Sequence, residues 1–576
     1  MKREEIKALE IKLENIQSLM EEGLISQENA KQKMATLEKQ LQDLVKEGTE
    51  TALPNIGVLP VDRAVFEDII KNKQVYIDKT HHIEGLVKSG TFFFLSRPRR
   101  FGKSMLVNTL KAVFEGQQEL FKGLHIYDKI EWQKYPVIHI DMIATESKAP
   151  DTLAESLRGI LSDYALQYGV KLTKKNDKDR FSELIRGIAR KTGKKVVVLI
   201  DEYDKPILDL LDTPEKALES REILRRFYSA FKAAEKDLRF VFLTGVTRFP
   251  KISIFSELNN LVDLSDHPLY SSIVGYTQQE LEDYFSEWVD YLAQSWKWSR
   301  EKVFAEIKNW YNGYSWDGKT KLYNPFSINR LFYYGEIRNF WFESGSPSFL
   351  IKILQAQEAT LAEFDGITVD SIDLGGFSLT DFYLPTILYQ TGYLTITDIK
   401  FSGGIRSCRL SYPNNEVRLS FIQAILKERY HTDSVQVSYR AEAIAKGLQE
   451  RDLDSVFENL KRVFASISYN HFQGANEKYY HTVLYLVFSM VGITVETEVQ
   501  TNRGRIDAVL KTKDTIYIME FKMNSAEEAM DQIKNRKYYE RYQGLGKTLI
   551  LVGVAFSEKD KTIQNWISEE ISDSTT

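Results

Sequence analysis

The sequence predicts an α/β multidomain protein, and two observations carry that prediction. Four short apolar runs, residues 91–95, 137–140, 196–200 and 239–243, alternate with helix-length amphipathic stretches such as 104–115 and 216–236. This is the pattern of a parallel sheet covered by helices on both faces. The chain has 576 residues, enough for about three to five domains. Lysine and arginine total 76 against 81 aspartates and glutamates, a formal charge of −5. That balance excludes a whole-chain nucleic-acid coat or a membrane-surface protein, so any basic footprint must be local. The single cysteine, Cys408, excludes an intramolecular disulfide framework and a thiolate zinc cluster, and fits a reducing compartment. No apolar run approaches a membrane span, and the first residues lack a signal-peptide core. A cytoplasmic protein with no membrane segment is expected.

Residues 1–48 contain neither proline nor aromatic side chains. Their apolar positions Ile6, Leu9, Leu13, Ile16 and Met20 step by three and four, break at Gly23 and Ser26, and resume as Ala30, Met34, Leu37, Leu41 and Leu44. Two short helices folded back on each other follow, with a seam suited to homo-oligomer formation. The segment resembles the helical hairpins with a Gly-Leu-Ile turn that bacterial proteins append as oligomerisation or docking modules. Residues 49–275 hold the α/β pattern. Residues 276–452 are helical and aromatic, with a helix expected over 281–296 and a winged-helix-like pattern around 381–412. The piece Thr391-Gly-Tyr-Leu-Thr-Ile396 either contacts DNA or packs as a structural adaptor. A last α/β unit occupies residues 453–576.

The run 91–95 leads into Ser96-Arg-Pro-Arg-Arg-Phe-Gly-Lys-Ser104 and then directly into a helix. Strand, loop and helix start make a phosphate cradle: backbone N–H groups point at anionic oxygens, and a lysine and a hydroxyl stand at fixed offsets. Lys103 is placed to reach the β- and γ-phosphates of ATP and Ser104 to ligate Mg²⁺. The standard pattern has a glycine five residues before Gly102, where this chain has Arg97. Val196-Val-Val-Leu-Ile-Asp-Glu202 is a buried strand ending in two carboxylates: Asp201 for the Mg²⁺ shell and Glu202 to orient the attacking water. The fourth run delivers Thr244-Gly-Val-Thr-Arg248, which sets Arg248 where a γ-phosphate sensor would sit. Candidate nucleotide contacts are thus Arg99, Arg100, Phe101, Gly102, Lys103, Ser104, Asp201 and Arg248.

With Tyr76-Ile-Asp-Lys-Thr80, Ile200-Asp-Glu-Tyr-Asp204, Thr244-Gly-Val-Thr-Arg-Phe249, Asn259-Asn260 and Asn309-Trp-Tyr-Asn-Gly-Tyr314, the order of motifs resembles the bacterial AAA-ATPase-like proteins that carry a C-terminal nuclease-like domain. The resemblance runs from about residue 53 to the end. It implies a P-loop core of AAA-like type, and a loop in which arginine and proline replace the first glycine.

Near the C-terminus, Gly504-Arg-Ile-Asp507 is followed by Thr515-Ile-Tyr-Ile-Met-Glu520-Phe-Lys522. Strand alternation puts Glu520 and Lys522 on one face, and Asp507, thirteen residues before Glu520, reaches the same place through a hairpin. Two carboxylates on one Mg²⁺ or Mn²⁺ and a lysine beside them suit phosphodiester hydrolysis. A helix ahead carries Glu477, a third candidate metal ligand, and a helix behind carries Gln532. The order helix, hairpin, helix resembles the PD-(D/E)XK fold, with Ile506 in place of the usual proline. His481 is assigned to packing. Arg503, Arg505, Arg536, Lys537 and Arg541, with Tyr538, Tyr539 and Tyr542, suit either nucleic-acid backbone contacts or a solvated face.

The expectation is an ATP-binding and ATP-hydrolysing protein that controls a metal-dependent nuclease. Glu202, Asp507, Glu520 and Lys522 are the catalytic candidates, and nucleic acid, with DNA foremost, is the partner. Defence against foreign DNA follows only by analogy of architecture. The alternative is a non-cleaving ATP-dependent switch that binds nucleic acid through a nuclease-like domain.

Overall fold

A computed structural model of the chain describes residues 57–61, 65–248, 254–255, 258, 260–342, 365–376, 383–430, 434–467, 477–490, 494–501, 504–557 and 559–571, with Met34 and Leu37. The hairpin expected over 1–48 lies outside the described residues apart from those two, both helical. Among the described residues no helix is long and apolar enough to cross a membrane.

Strands β1 (Phe92–Ser96), β2 (Val137–Asp141), β3 (Val196–Asp201), β4 (Leu238–Gly245) and β5 (Val262–Asp263) form an all-parallel sheet in the order β2-β3-β4-β1-β5. Every residue of β1 and β3 is buried, because helices cover both faces of a parallel sheet; hence the unbroken apolar runs. Parallel order brings the loops after Ser96, Asp201 and Gly245 to one edge, where such sheets bind ligands. Helix Lys103–Phe114 springs from the first of these loops. The stretch 216–236 is divided into Pro214–Tyr228 and Ala230–Ala233.

The stretch 281–296 is likewise two helices, Gln278–Tyr284 and Ser286–Trp296, the first opened by a capping box of Thr277 and Glu280. With Arg300–Tyr311 and Pro325–Tyr334 they close around Phe285, Leu292, Ile307, Tyr311 and Phe332. Asn312-Gly313, between the third and fourth of these helices, meets the segment around Pro413. Gly313 has φ 124°, and a Cβ there would lie 1.9 Å from the Pro413 carbonyl oxygen. Gly313→Ala therefore combines a left-handed backbone with a backbone clash, and a loss of about 2–4 kcal/mol is expected, read as a lowered melting temperature.

Helix Leu384–Thr391 lies in the chain between the first and second strands of a three-stranded antiparallel sheet of β6 (Thr368–Asp370), β7 (Thr395–Ser402) and β8 (Ile405–Ser411), in the order β6-β8-β7. Of the two roles open to the piece 391–396, packing is the one its burial fits. Tyr393, Leu394, Thr395 and Ile396 are buried, with the Tyr393 ring against Trp341 and Phe421. Its apolar side chains fill the junction between the Phe340–Phe342 turn and the helix Asn415–Tyr430 that follows.

The C-terminal sheet runs β13-β12-β11-β10-β9, from β9 (Thr494–Thr501), β10 (Gly504–Lys511), β11 (Thr515–Met523), β12 (Thr548–Ser557) and β13 (Thr562–Ile571). The β10–β11 hairpin is antiparallel. Helix Ala526–Asn535 makes the crossover to the parallel strand β12. Helices Leu453–Ala465 and Glu477–Met490 pack on one face, and Ala526–Asn535 on the other. Tyr538 and Tyr542 complete that second face, buried at 2% and 3% exposure, so neither ring is free to stack on a base.

Candidate functional site

The phosphate loop is shaped by a left-handed Gly102 (φ 90°) immediately before helix Lys103–Phe114, and a Cβ there would meet nothing within 4 Å. The backbone is thus open to an anion at the helix start. Lys103 is buried; its Nζ donates to the Pro98 carbonyl at 3.2 Å and pairs with Glu202 Oε1 at 3.1 Å. The Ser104 hydroxyl hydrogen-bonds Asp201, and the Glu202 backbone N–H donates to Asp201 Oδ1 at 3.0 Å. Burial pushes the Asp201 carboxyl up to about 6. Gly102, Lys103, Ser104, Asp201 and Glu202 are therefore brought together from two strand ends.

Asp204, two residues further on, is fully buried and accepts from Val246 N (3.1 Å), Thr247 N (2.6 Å) and Thr247 Oγ1 (2.5 Å). It ties the end of β3 to the loop after β4. Glu202 sits at φ 51°, a strained position for glutamate that this clamp helps to hold.

The other loop candidates are placed differently. Arg99 is exposed. Arg100 donates to the carbonyls of Phe340 (2.5 Å) and Trp341 (2.7 Å), and its guanidinium lies 3.9 Å from the centre of the Phe326 ring. Phe101 is buried edge-on against Tyr314 and Trp316. Arg248 is bound bidentately by Asp266, while its backbone N–H donates to Gln390 Oε1 at 2.8 Å. Burial alone would lower its pKa, but Asp266 holds it above the ordinary arginine value. Arg97, in the first-glycine position, is fully buried; it donates to Ser96 O (2.9 Å) and Ser265 O (2.8 Å) and stacks 4.0 Å over Trp316. Burial lowers this guanidinium to about 10.

Arg100, Phe101, Gly102, Lys103, Ser104 and Glu202 all line a cavity of about 540 Å³, which Arg248 does not line. Its other wall is apolar, from Ile69, Val75, Tyr76, Ile273 and Tyr276, with Phe326 and Arg330 contributed by helix Pro325–Tyr334. An apolar slot beside a phosphate cradle suits a flat base. Sequence reasoning gave these wall residues no role. Tyr76 stood in a quoted motif, whose Asp78 accepts from Thr80 N and Oγ1 at 2.8 and 2.7 Å. Lys79 of the same motif pairs with Glu280 at 2.6 Å.

In the C-terminal sheet, Asp507, Glu520 and Lys522 converge. Asp507 Oδ2 accepts from Phe521 N at 2.9 Å, and Lys522 Nζ stands 3.6 Å from Glu520 Oε1. Gln532 donates to the same Glu520 oxygen, as the predicted placement of its helix requires. Glu520 is 1% exposed, and its Oε2 has no hydrogen-bond partner among the described residues. Burial raises both carboxyls, and for Glu520 the adjacent Asp507 raises it further. His481 comes within 3.8 Å of Asp507 Oδ2, its ring 4.9 Å from Phe521; its place on the Glu477 helix put it near the predicted chemistry, though the sequence reading assigned it to packing. Glu477 opens the helix that carries His481, but its side chain lies outside the described residues, as do Asn502 and Arg503. Among the described residues no set of three or more His, Cys, Asp or Glu side chains is placed to hold a metal ion. Two buried carboxylates with one unpartnered oxygen nevertheless fit a dication, which would relieve both the burial and the mutual repulsion.

A line of contacts joins the two sites. Trp341, whose carbonyl receives Arg100, donates its N–H to Glu416 Oε1 at 2.9 Å, and Ser327 Oγ donates to Glu416 at 2.9 Å. Glu416 lies on helix Asn415–Tyr430, and Arg418 of that helix donates to the Ser489 carbonyl at 2.8 Å on the helix of His481. Burial pushes Glu416 up to about 8, opposed by Ser327, Trp341 and Arg100, with Tyr314 also nearby. A carboxyl raised on folding contributes stability that is full below its unfolded pKa of 4.5 and is lost as pH rises through about 8. Between about pH 6 and pH 9, Glu416→Gln should lose about 2–4 °C less of its melting temperature than the native chain. Equal losses in calorimetry would acquit Glu416.

The fold and the two sites define a class: a phosphate-loop ATPase core joined to a nuclease-like domain. Residues 60–255 match the family described as "Predicted AAA-ATPase", and residues 475–566 match the PD-(D/E)XK nuclease superfamily. An uncharacterized protein in the vnfD 5′ region of Azotobacter chroococcum mcd 1 is 34% identical over 522 residues, spanning 89% of this chain and 99% of that protein. The chain belongs to that family, the AAA-ATPase-like proteins with a C-terminal PD-(D/E)XK domain. Domains of these two kinds use a nucleotide and divalent metal ions.

Proposed function

We propose that ATP in the phosphate-loop cavity controls a divalent-metal-dependent phosphodiesterase in the C-terminal domain, acting on nucleic acid and on DNA foremost. The observation that carries this is the convergence of Asp507, Glu520 and Lys522, with an unpartnered carboxylate oxygen, on a sheet linked by contacts to the phosphate loop. Lys103 takes the β- and γ-phosphates, Ser104 and Asp201 hold Mg²⁺, and Glu202 orients the water. Asp507 and Glu520, with Glu477 as a third ligand, would hold Mg²⁺ or Mn²⁺. Bound there, the ion supplies a Lewis acid and a water of lowered pKa. Lys522 presents an ammonium where negative charge develops on the phosphate. Residues 49–275 form the ATPase unit, 276–452 the relay and 453–576 the nuclease unit of a cytoplasmic protein whose oligomeric state is set by residues 1–48.

The test is a plasmid incubated with the full chain and Mg²⁺ or Mn²⁺, with ATP, with a non-hydrolysable analogue, and with neither. Cutting that needs metal and changes with nucleotide is expected. An intact plasmid under every condition, with DNA still bound, leaves the non-cleaving switch.

A further inference from the structure

Asn329, on helix Pro325–Tyr334, lines the slot beside the phosphate loop and is 6% exposed. Its Nδ2 donates to the Tyr276 hydroxyl across 3.4 Å, a long bond, and its Oδ1 has no hydrogen-bond partner among the described residues. Tyr276 lines the same slot, and no described residue receives its hydroxyl proton. Burial raises that hydroxyl above its ordinary pKa, so the proton stays on. An unused donor and an unused acceptor thus stand side by side. The other polar side chains beyond the phosphate end are engaged: Tyr76 with Thr109, Lys79 with Glu280, and Arg330 over the Phe326 ring at 4.3 Å. An acceptor buried without a donor is a cost that a donor on a ligand would remove.

The place of this pair in the slot names the part of the ligand it meets. Thr109 follows Lys103 by six residues on one helix, about 9 Å along the axis. Tyr76 hydrogen-bonds Thr109, and Tyr276 is near enough to raise the Tyr76 hydroxyl further. Tyr76, Tyr276 and Asn329 therefore stand well beyond the cradle. The Gly275 N–H donates to the Phe101 carbonyl at 3.2 Å, which ties the wall bearing Tyr276 to the loop. With the β- and γ-phosphates at Lys103, the α-phosphate and ribose span the interval and the base arrives at Tyr276 and Asn329. Adenine presents a 6-amino donor beside a ring-nitrogen acceptor, the complement of this pair, and asparagine is a recurrent partner of that edge. Guanine carries a carbonyl oxygen in place of the amino group, which would face Asn329 Oδ1 and leave both oxygens unpaired.

We propose that Asn329 and Tyr276 select adenine over guanine nucleotides: Asn329 Oδ1 accepts from the 6-amino group, and the Tyr276 hydroxyl donates to the adjacent ring nitrogen. The assignment rests on the reading of the phosphate loop as a nucleotide site. It also gives the relay its first contact, because the helix that meets the base carries Ser327, whose hydroxyl donates to Glu416.

The test measures, by calorimetry on the full chain with Mg²⁺, the binding of ATP, GTP and purine riboside triphosphate, which lacks the 6-amino group. The native chain should bind ATP about tenfold more tightly than purine riboside triphosphate and about a hundredfold more tightly than GTP. Asn329→Leu, similar in size, should weaken ATP alone and bring it level with purine riboside triphosphate. Tyr276→Phe should weaken both of these by about tenfold, since both keep the ring nitrogen. Circular dichroism checks that each variant is folded, and the comparison on the native chain decides even where a variant is not. A native chain that binds all three alike overturns the base reading and keeps the phosphate cradle. A preference for GTP overturns adenine, and native selectivity in folded Asn329→Leu overturns the role of Asn329. A native chain that binds none of the three overturns the nucleotide reading and this inference with it.

Discussion

Asp507→Ala and Glu520→Ala are each expected to abolish phosphodiester cutting, by about a thousandfold or more in rate, while DNA binding is kept or strengthened. Both carboxylates are buried, so losing either removes a ligand of the dication in the C-terminal sheet and also removes a charge that repels phosphate. Lys522→Ala should lose cutting to a similar degree but weaken DNA binding, because it deletes a cation. Metal affinity, read by calorimetry with Mn²⁺, should fall for the two carboxylate variants and survive in Lys522→Ala. EDTA should reproduce the carboxylate phenotype. Native-rate cutting by highly purified Asp507→Ala protein would falsify the assignment and leave the ATP-dependent switch.

Lys103→Ala should weaken ATP binding by roughly 10- to 100-fold, the worth of one charge-assisted contact to phosphate. Glu202→Gln should bind ATP with near-native affinity yet hydrolyse it about a hundredfold more slowly, since only the carboxylate that orients water is neutralised. The native ion pair of Lys103 with Glu202 at 3.1 Å sharpens the contrast. Glu202→Gln frees the lysine for phosphate, whereas Lys103→Ala leaves Glu202 facing the cavity as an unbalanced anion. Calorimetry with ATP and a phosphate-release assay separate the two. Equal ATP affinity for Lys103→Ala and the native chain would rule this loop out as the nucleotide site.

The elements that the sequence disclosed are those whose burial is uniform or strictly periodic. β1 to β4 stand within two residues of the apolar runs that announced them, because a strand covered on both faces has no polar positions to blur it. β5 has two residues and therefore no period to detect. The pairing of Ser104 with Asp201, and of Glu520 with Lys522, followed from motif order and from strand alternation. What sequence alone could not reach are the side chains settled by partners far along the chain. Arg100 sits in the phosphate loop yet is bound by the carbonyls of Phe340 and Trp341, and Arg248 answers to Asp266. Tyr538 and Tyr542 lie in a basic neighbourhood that suits a nucleic-acid surface, but their rings are needed to close the second face of the C-terminal sheet. His481 looked like packing and reaches Asp507 through the tertiary fold alone.

Arg97 stacks on Trp316, and Phe101 lies against Tyr314 and Trp316. The loop that cradles phosphate thus rests on rings supplied from beyond the sheet that bears it. It is consequently not a portable cassette. A fragment cut before residue 276 would keep the Ser96 and Ser265 carbonyls on Arg97 but bare the faces of its guanidinium and of the Phe101 ring that Trp316 and Tyr314 cover, so the loop and the Gly313 segment must be inherited, exchanged or engineered as a pair. A chimera between relatives that keeps one and swaps the other would inherit mismatched halves of a single joint, however faithfully each half reproduced its own motif.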